Sequence, residues 1–496
     1  MNKNWELPFL QRKLLMDRSV DGRRAINLPD LDVPESPLPA DNLLREDLPL
    51  PELSEGEVVR YFTNLSRLNM SIDTSFYPLG SCTMKYNPKL DDEIASLPGF
   101  SAVHPLQDLS TIQGALELLH RLQEDLAEIT GMDAVSLASV AGAHGELVGM
   151  LLMRAYHRSN NQTNRRTVLI PDSAHGTNPA SAAMAGFNVV SVPSDSAGNM
   201  SLEDLRIAAD DDLVGLMITL PSTLGLFDTN ILEICRIVHE AGGLVYGDGA
   251  NMNALLGRVK LGDIGFDIVH LNLHKTFSTP HGGGGPGAGP VAVTETLAPF
   301  LPSDVVEKIE EETHEIYRFK TPSKTVGSIG GFHGNFGVLV RAYAYLRLHG
   351  AEGLRDISEN AVINANYLLE SLRGYYQLPY DRRCMHEVVF SAQFQRRHGI
   401  KALDVAKRLI DYGIHPPTMY FPLIVDEALM IEPTETESIE TLDYFVRVMQ
   451  LIAKEADEQP ELLKEAPHDT PNTRLDEARA ARQPDLRWRA TQRINS

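Results

Sequence analysis

The sequence Asp-Ile-Val-His-Leu-Asn-Leu-His-Lys-Thr-Phe-Ser-Thr-Pro-His (267–281) runs on into Gly282–Gly285, Pro286, Gly287, Ala288, Gly289 and Pro290. The stretch opens with a short apolar run that predicts a buried strand: Ile268, Val269, Leu271 and Leu273. The polar residues and glycines that follow cannot continue a regular element. Lys275 is therefore expected just past the carboxyl end of a strand, where open α/β sheets hold their ligands.

Three interpretations of this stretch compete. The first is a surface lysine before a flexible glycine loop. The second is a nucleotide site, because Gly282, Gly284 and Gly287 match G-x-G-x-x-G. That motif must open a helix, but Pro286 lies inside this loop and Val291–Val293 reads as another strand, so the context argues against it. The third is a Schiff base between Lys275 and a carbonyl cofactor such as pyridoxal phosphate (PLP).

The PLP interpretation requires an acidic partner on a neighbouring strand, and Asp248 fits that requirement. Gly243-Leu244-Val245-Tyr246-Gly247-Asp248 reads as a short strand that ends in an acid. If this strand runs parallel to the Lys275 strand, Asp248 and Lys275 emerge at one edge of the sheet. PLP needs a lysine for its aldehyde and a carboxylate to keep its pyridine nitrogen protonated. In isolation, Asp248 could equally be a helix-capping or turn residue.

Length and composition describe a globular protein of at least two domains. The chain has 496 residues, 43% hydrophobic and 23% charged. A formal net charge of −22 argues against nonspecific nucleic-acid binding. No apolar run is long enough for a membrane span, and the N-terminus lacks the features of a signal or transit peptide. The three cysteines (Cys82, Cys235, Cys384) lie far apart, so we expect no disulfide framework and a cytoplasmic protein.

The chain divides by pattern into four parts. Residues 1–110 are predicted to form an extended, proline-rich arm and loops, and residues 111–330 a large α/β domain. Residues 331–465 are predicted to form a smaller α+β domain, and residues 466–496 a surface tail. Within the first part, Phe76–Pro88 combines turn formers with aromatic residues and is expected to be a structured loop near a site. Cys82, inside it, is interpreted as structural because nothing local would lower its pKa.

Several further segments of the large domain predict a binding crevice. The small residues Gly142 and Ala143, followed by His144, precede a helix predicted over 147–157, and a helix start of this kind suits a phosphate. An empty tight turn is an equal alternative. His175 follows a strand at 167–170 and could stack on a cofactor ring, and Ser222 follows a strand at 213–220. Other strands are predicted at 188–192 and 291–293, with helices at 111–130 and 231–241.

The C-terminal part reads as alternating helices and strands. Helices are predicted at 336–348, 361–372, 404–412 and 442–456, and strands at 386–391 and 428–431.

These motifs together resemble one family along nearly the whole chain. The resemblance rests on Tyr-Pro-Leu-Gly-Ser-Cys-Thr-Met-Lys-Tyr-Asn-Pro (77–88), Gly-Ala-His-Gly-Glu (142–146), Ser-Ala-His-Gly-Thr-Asn-Pro-Ala-Ser-Ala (173–182), Asp-Gly-Ala-Asn-Met-Asn-Ala (248–254), Leu-Asn-Leu-His-Lys-Thr-Phe (271–277), Pro-His-Gly-Gly-Gly-Gly-Pro-Gly (280–287) and Asp-Tyr-Gly-Ile-His-Pro-Pro-Thr-Met (411–419). The chain resembles the β subunit (subunit 2) of two-subunit glycine dehydrogenase (decarboxylating), the P-protein of the glycine cleavage system.

The resemblance implies an aspartate aminotransferase-like, fold type I PLP enzyme. It implies that glycine is decarboxylated and that the aminomethyl group passes to the lipoyl group of the H-protein. The family's lysine falls on Lys275 and its ring-nitrogen acid on Asp248. Either His144 or His175 could stack on the ring, and we favour His175. Thr177, Ser222 and His274 are weaker candidates for cofactor contacts. One departure from the fold type is Asn251, which stands where many relatives carry a histidine.

The resemblance also bears on partners. Because the chain matches only one half of the single-chain form, a separate α subunit is expected to complete a heterotetramer. The glycine-rich loop after Lys275 could give the lipoyl arm access to the backbone, with a structural turn as the alternative.

Functions of other classes remain to be weighed. A metal-dependent hydrolase could use His270, His274 and His281, but a spacing of four residues aligns ligands only on a helix, and no HExxH is present. A non-catalytic subunit is a second rival, and other PLP chemistry on glycine, such as aldol cleavage, is a third.

Overall fold

The structure, a computed structural model, describes residues 14–45, 48, 50–281, 287–310, 315–470 and 472–487. The chain forms two compact units. One comprises residues 76–464 and carries every predicted site residue. The other comprises residues 1–75 and 465–496.

The strands are β1 (Ala134–Ser136), β2 (Thr167–Pro171), β3 (Asn188–Val192), β4 (Leu213–Thr219), β5 (Leu244–Gly249), β6 (Ile268–Leu271), β7 (Val291–Val293), β8 (Val305–Glu310), β9 (Glu315–Lys320), β10 (Val388–Ser391), β11 (Thr418–Met419) and β12 (Ala428–Ile431). The helices are α1 (Glu55–Ser66), α2 (Lys89–Ala95), α3 (Pro98–Ser101), α4 (Gln113–Thr130), α5 (Gly142–Ser159), α6 (Thr177–Met184), α7 (Leu202–Ala208), α8 (Ile231–Glu240), α9 (Leu261–Ile264), α10 (Phe336–Leu372), α11 (Gln393–Arg396), α12 (Ala402–Asp411), α13 (Ile439–Glu458), α14 (Pro460–Glu465) and α15 (Glu477–Arg482).

The seven-stranded sheet has the order β1-β7-β6-β5-β4-β2-β3. From β3 to β6 every neighbouring pair is parallel, whereas β7 is antiparallel to both β6 and β1. The central strands β4, β5 and β6 are almost wholly buried, which explains their continuous apolar sequences. The predicted parallel pairing of the Asp248 and Lys275 strands is confirmed.

Helix boundaries follow local sequence signals. In α4, Leu116, Leu119, Leu122 and Leu126 recur at helical spacing and are buried. The helix ends at Gly131, which takes the left-handed conformation (φ 71°) that glycine adopts without strain.

The C-terminal part of the same unit contains a three-stranded antiparallel sheet with the order β10-β12-β11. Its apolar face packs against α12, α13 and the second half of α10 in a cluster that includes Leu368, Phe390, Leu429 and Phe445. The predicted division of residues 111–465 into a large and a small domain remains a prediction.

Three local predictions differ from the structure. Helix α5 begins at Gly142 rather than near 147, because the small residues 142–145 fit closely against neighbouring backbone and side chains. Helix α10 spans residues 349–360 as well, interrupted only at Gly350 (φ 61°). The hairpin β8–β9 was missed because half of the residues in each strand are charged and neither strand contains a long apolar run.

The unit of residues 1–75 and 465–496 is described by itself. It has short 3-10 turns at Leu15–Arg18 and Asp41–Leu43, and α1 begins with a capping box formed by Ser54 and Glu57. Many apolar side chains of the arm are exposed, among them Leu28 (83%) and Leu38 (79%). Among the residues given above, no helix has the length and apolar character needed to cross a membrane.

Candidate active site

Asp248 and Lys275 emerge at the same edge of the sheet. Asp248 pairs in register with His270 of β6, and Lys275 follows that strand in a turn closed by its backbone N–H donating to Asn272 O (3.1 Å). Both charges act on the His175 imidazole: the Lys275 ammonium lowers its pKa and the Asp248 carboxylate raises it, while burial, the largest cause, lowers it. The two side chains therefore share one crevice.

The turn that carries Lys275 is fixed from the side of the Phe76–Pro88 loop. The Lys85 ammonium donates to Thr276 O (2.7 Å) and to Glu435 Oε1 (2.7 Å), and its side chain is 1% exposed. Asn87 Nδ2 donates to Ser278 O (2.7 Å). These contacts confirm that the loop lies near the predicted site, and they hold the backbone on the C-terminal side of Lys275.

The Lys275 amine itself makes no hydrogen bond or ion pair to any residue that the structure describes. It is surrounded by imidazoles whose pKa values lie below the usual range, chiefly because of burial and secondarily because of neighbouring charges. Burial, His281 and Lys275 lower the pKa of His274 to about 3, and burial and Lys275 lower that of His281 to about 4. At neutral pH these rings are uncharged, so Lys275 has no cationic histidine beside it.

A buried network surrounds the Asp248 carboxylate, which is 5% exposed as a residue. Ala250 N–H donates to Asp248 Oδ1 (3.0 Å), and His270 Nε2 lies 3.5 Å from the same oxygen. With the Asn178 amide oriented so that its nitrogen faces the acids, it donates to Asp248 Oδ2 (3.2 Å) and to Glu146 Oε2 (3.3 Å). Asn178 therefore bridges two carboxyl groups.

Glu146 is a buried member of this network. The sequence analysis included it in a motif but predicted no role for it. Thr177 Oγ1 donates to its Oε1 (2.8 Å) and Ser181 Oγ to its Oε2 (3.2 Å). Burial, and secondarily the Asp248 charge, raises the pKa of Glu146 to about 7. The side chain therefore carries a proton for much of the time at neutral pH, which keeps a second full negative charge away from Asp248.

The start of α5 lies against the strand end that carries Lys275. A Cβ on Gly142 would meet Asn272 Oδ1 at 2.3 Å, and one on Gly289 would meet Ala141 O at 2.1 Å. Only glycine at these two positions lets the Asn272 side chain and the Ala141 backbone lie so close. Ala141 is extended and caps the helix with no side-chain bond, so the first N–H groups of α5 are left for a ligand.

The remaining predicted residues lie around the same edge. Ala143 is exposed on the first turn of α5, and His144 Nδ1 accepts from Val140 N–H (3.3 Å). His175 Nδ1 contacts Thr177 Oγ1 (2.8 Å), and Ser222 Oγ accepts from Leu224 N–H (3.3 Å).

His274 packs against the residues that follow the glycine-rich loop. A Cβ on Gly287 would meet His274 Nδ1 at 2.8 Å, and Ala288 N–H donates to the same nitrogen (3.4 Å). The loop proper, residues 282–286, lies outside the described residues.

A second acidic cluster, to which the sequence analysis assigned no role, lies near Lys275. His386, Glu387 and Glu432 are each at most 3% exposed, and one polar atom from each lies within 4.8 Å of the others. Burial, and secondarily Glu432, raises the pKa of Glu387 well above its usual range. Burial also raises the pKa of Glu432, whereas the Lys275 charge lowers both values.

This second cluster escaped sequence reasoning because its members come from just before β10 and from just after β12. Only the folded chain brings them to the Lys275 edge. A weak signal existed in two acids placed at the ends of otherwise apolar strands, Glu387-Val-Val-Phe and Leu-Met-Ile-Glu432.

Two alternative interpretations can be compared with the geometry. His270, His274 and His281 do not converge on a common point in the described residues: His270 Nδ1 contacts Tyr246 OH (2.5 Å), and the His274 and His281 rings meet edge to face at 5.2 Å. Cys82 is half-buried, and burial raises the pKa of its thiol, although the Lys275 charge opposes the rise. A thiol with a raised pKa is a poor nucleophile, in agreement with the structural interpretation.

Comparisons with known proteins agree with the architecture. The family described as "Glycine cleavage system P-protein" matches residues 26–320, and "Glycine dehydrogenase, C-terminal domain" matches residues 357–471. A relative from Caldanaerobacter subterraneus subsp. tengcongensis, named "Probable glycine dehydrogenase (decarboxylating) subunit 2", is 56% identical over 479 residues, covering 96% of this chain and 98% of its own.

Solved structures of lower identity establish the fold. An inhibitor-bound crystal structure of glycine decarboxylase (P-protein) of the glycine cleavage system has a TM-score of 0.70 at 19% identity, covering 84% of this chain and 93% of its own. The apo cysteine desulfurase from Thermococcus onnurineus NA1 has a TM-score of 0.59 at 16% identity, with 77% and 97% covered. The predicted fold type I architecture is confirmed, and the chain belongs to the glycine cleavage system P-protein family, among its glycine dehydrogenase (decarboxylating) subunit 2 members.

Proposed function

We propose that this chain decarboxylates glycine with PLP bound at Lys275 and transfers the aminomethyl group to the lipoyl group of the H-protein, with release of carbon dioxide. The observation that carries the proposal is that the unpaired Lys275 amine and the buried Asp248 carboxylate come from the ends of two adjacent parallel strands, and both charges act on His175. This arrangement occurs in a chain that is 56% identical, over nearly its whole length, to a protein named for glycine decarboxylation.

The residues at this edge fit PLP. Lys275 would bind its aldehyde, Asp248 its pyridine nitrogen, and the N–H groups of Gly142, Ala143 and His144 its phosphate. Buried polar atoms without a partner among the described residues support a missing polar ligand: Thr219 Oγ1, Asn272 Oδ1 and His281 Nε2. Asn272 is the residue against which Gly142 packs, and Thr219 pairs in register with Asp248.

Further contacts follow from position. His175 is proposed to lie on the ring face, because its pKa responds to both Lys275 and Asp248. Thr177, Ser222 and His274 are proposed as additional contacts at the rim of the crevice.

When bound, PLP would supply an electron sink for the pair left on the glycine α-carbon when the carboxylate departs. The chain's own residues hold protons in the places this chemistry needs. The Asp248 carboxylate would keep the pyridine nitrogen protonated, and the Asn178 amide and Ala250 N–H keep that carboxylate in position. The Lys275 amine would hold the cofactor covalently. Lys85 and Asn87 keep the Lys275 backbone fixed.

We propose that an α subunit of the P-protein completes the enzyme as a heterotetramer in the cytoplasm. The name "subunit 2" of the relatives supports a partner chain. A second support is the exposed apolar surface of the described N-terminal arm, which includes Leu28, Leu31, Val33 and Leu38 at 63–83% exposure. Apolar side chains exposed in such number are typical of a surface that another chain covers. The involvement of the glycine-rich loop in lipoyl access stays a prediction.

Exchange of labelled bicarbonate into the carboxyl group of glycine tests the function. We expect exchange when the chain, the α subunit and lipoylated H-protein are present together, and loss of exchange when the chain is omitted. Exchange that is unchanged without this chain would assign it a non-catalytic role. Glycine consumption with no labelled carboxyl exchange, but with release of an aldehyde from hydroxy amino acids, would instead indicate aldol-type PLP chemistry.

A further inference from the structure

The transfer proposed above consumes a proton. When the bond between the glycine α-carbon and its carboxylate breaks, carbon dioxide leaves and the electron pair forms a bond from carbon to one lipoyl sulfur. The disulfide bond breaks, the carbon is oxidised, and the second sulfur leaves as a thiolate. That thiolate needs one proton to become the thiol product, so an acid must lie near Lys275.

The histidines around Lys275 are poor candidates for this acid. Burial lowers the pKa values of His175, His270, His274, His281 and His386, in each case with the Lys275 charge contributing. An uncharged imidazole is a base at neutral pH and donates a proton to a thiolate only weakly. Glu146 holds a proton, but Asn178 and Asp248 place it on the pyridine-nitrogen side of the site.

The pair formed by Glu387 and Glu432 has the required character. Both side chains are buried, and two carboxylates so close together in a buried site cannot both ionise without a large cost. The groups that face them are His386, the turn Ser81–Thr83 with Cys82, Asn251, and Lys275. Lys275 is the only cation among these, and its amine makes no ion pair to a described residue.

The hydrogen bonds show which member of the pair keeps the proton. Glu432 accepts three: from Thr83 N–H (3.0 Å), Thr83 Oγ1 (2.7 Å) and Asn251 Nδ2 (2.8 Å). Glu387 accepts one, from Ser81 N–H (2.8 Å). Three donors stabilise an ionised carboxylate, whereas Glu387 Oε1 accepts no hydrogen bond from the part of the chain that the structure describes and has His386 Nε2 at 3.9 Å. The asymmetry assigns the charge to Glu432 and the proton to Glu387.

Glu387 also lies at the correct edge of the sheet. The residue before His386, Met385, donates from its N–H to Gly225 O (2.7 Å), in the turn that follows β4. A Cβ on Gly225 would meet Glu387 O at 2.1 Å, so this turn and the start of β10 are in direct contact. Strand β4 ends beside Asp248, because Thr219 pairs with it in register.

We propose that Glu387, paired with Glu432, holds the proton that aminomethyl transfer consumes and delivers it to the departing lipoyl thiolate. The proposal rests on the function proposed above. Glu387 becomes a carboxylate as the thiol forms, and it takes a proton from water once the product has left. Glu432 is the positioning residue of the pair, because its fixed negative charge keeps Glu387 protonated until then.

Infrared spectroscopy of the purified full-length chain, without substrate or partners, tests the protonation state directly. The difference spectrum between wild type and Glu387→Gln at pH 7 should contain the C=O stretch of a protonated carboxylic acid. Glu427→Gln is the matched control, because Glu427 is also buried and accepts one backbone N–H, from Ala402 (2.7 Å), but its partners lie in α12. The Glu427→Gln protein should retain the acid band that Glu387→Gln loses. A carboxylate signal for Glu387 at pH 7 would overturn the proposal.

Transfer kinetics test the role of the proton. With the α subunit and lipoylated H-protein present, Glu387→Gln should slow aminomethyl transfer by about 100-fold and remove its dependence on pH above neutrality, while Glu427→Gln stays at the wild-type rate. A wild-type rate in Glu387→Gln would overturn the proposal. If Glu387→Gln does not fold, Glu387→Asp replaces it. This variant should show the acid band and transfer the aminomethyl group at a reduced rate. Transfer at the wild-type rate without the acid band would contradict the proposal. Wild type that shows the acid band but no glycine-dependent transfer would instead refute the proposed function.

Discussion

Lys275 lies between two buried acidic clusters that are built in different ways. On the sheet side, Asp248 and Glu146 are joined by the amide of Asn178, and each has its own hydroxyl or backbone donors. On the side of β10 and β12, the donors converge on one member, Glu432. The neutral Asn178 amide lets an ionised Asp248 and a protonated Glu146 lie close together. In the second cluster, the donors stabilise the negative charge of Glu432, so that Glu387 keeps the proton.

The clusters also differ in how they are anchored. The sheet-side acids lie on β5 and α5, within the seven-stranded sheet and the helix packed on it. The other cluster is joined to the Lys275 turn through the Ser81–Asn87 loop, in which Lys85 forms a buried ion pair with Glu435. The sheet side therefore provides fixed electrostatics, and the opposite side depends on a loop that the Lys85–Glu435 ion pair and several hydrogen bonds hold in place.

The largest expected effect is that of Asp248→Asn on the sheet side. The amide can still accept from Ala250 N–H but cannot hold a positive charge on the pyridine nitrogen, so decarboxylation should fall by on the order of 1,000-fold while PLP stays bound. Bicarbonate exchange measures decarboxylation, and visible absorbance measures PLP binding. Asp267→Asn is the control: this acid lies at the opposite end of β6, where it accepts from Val245 N–H (2.7 Å), and exchange should persist. Undiminished exchange in Asp248→Asn would remove Asp248 from its role.

On the loop side, Lys85→Met should destabilise the protein by about 3 kcal/mol, because Glu435 is left as an unpaired charge in a buried place. Chemical unfolding of Lys85→Met, Glu435→Gln and the double variant should show that the second substitution recovers part of the loss. Lys260→Met breaks an exposed ion pair with Glu128 and should unfold like wild type. Equal stability of Lys85→Met and wild type would refute the anchoring role of the ion pair.

Glu146→Gln should alter the pH dependence of stability more than stability itself. The folded chain raises the pKa of Glu146 from its usual 4.5 to about 7, so the stability that this side chain contributes is complete below the unfolded pKa and is lost as pH rises through the folded one. Relative to wild type, the free energy of unfolding of Glu146→Gln should therefore rise by about 2 kcal/mol from pH 5 to pH 8. Unfolding curves at both pH values measure this, with exposed Glu203→Gln as control. A difference that does not change with pH would contradict a protonated Glu146.

The sequence was sufficient for the parts of the site that depend on strand ends. Lys275 and Asp248 could be placed together because parallel strands present their carboxyl ends at one edge, and a buried strand is readable from its apolar run. The same logic predicted Gly142, His175 and Ser222 at this edge, and their roles stay predictions. The start of α5 was not predicted, because small residues were interpreted as a loop before the helix. In the structure, these small residues allow close packing against Asn272 and Gly289.

The second acidic cluster could not be predicted in the same way. Glu387 and Glu432 adjoin the ends of two antiparallel strands of the C-terminal sheet, and nothing local tells on which side of Lys275 that sheet will pack. Their protonation depends on donors from Ser81, Thr83 and Asn251, which come from two distant parts of the sequence. Only coordinates bring such groups together.

Borohydride reduction of the PLP-loaded chain, followed by peptide mapping, tests the central claim most directly. Reduction should fix the cofactor to the peptide that contains Lys275, and Lys275→Ala should lose both the label and the visible absorbance. Lys85 offers an internal comparison, because it is the other lysine buried near this turn, and its peptide should stay unlabelled. A label on any other lysine, or absorbance retained in Lys275→Ala, would contradict the account.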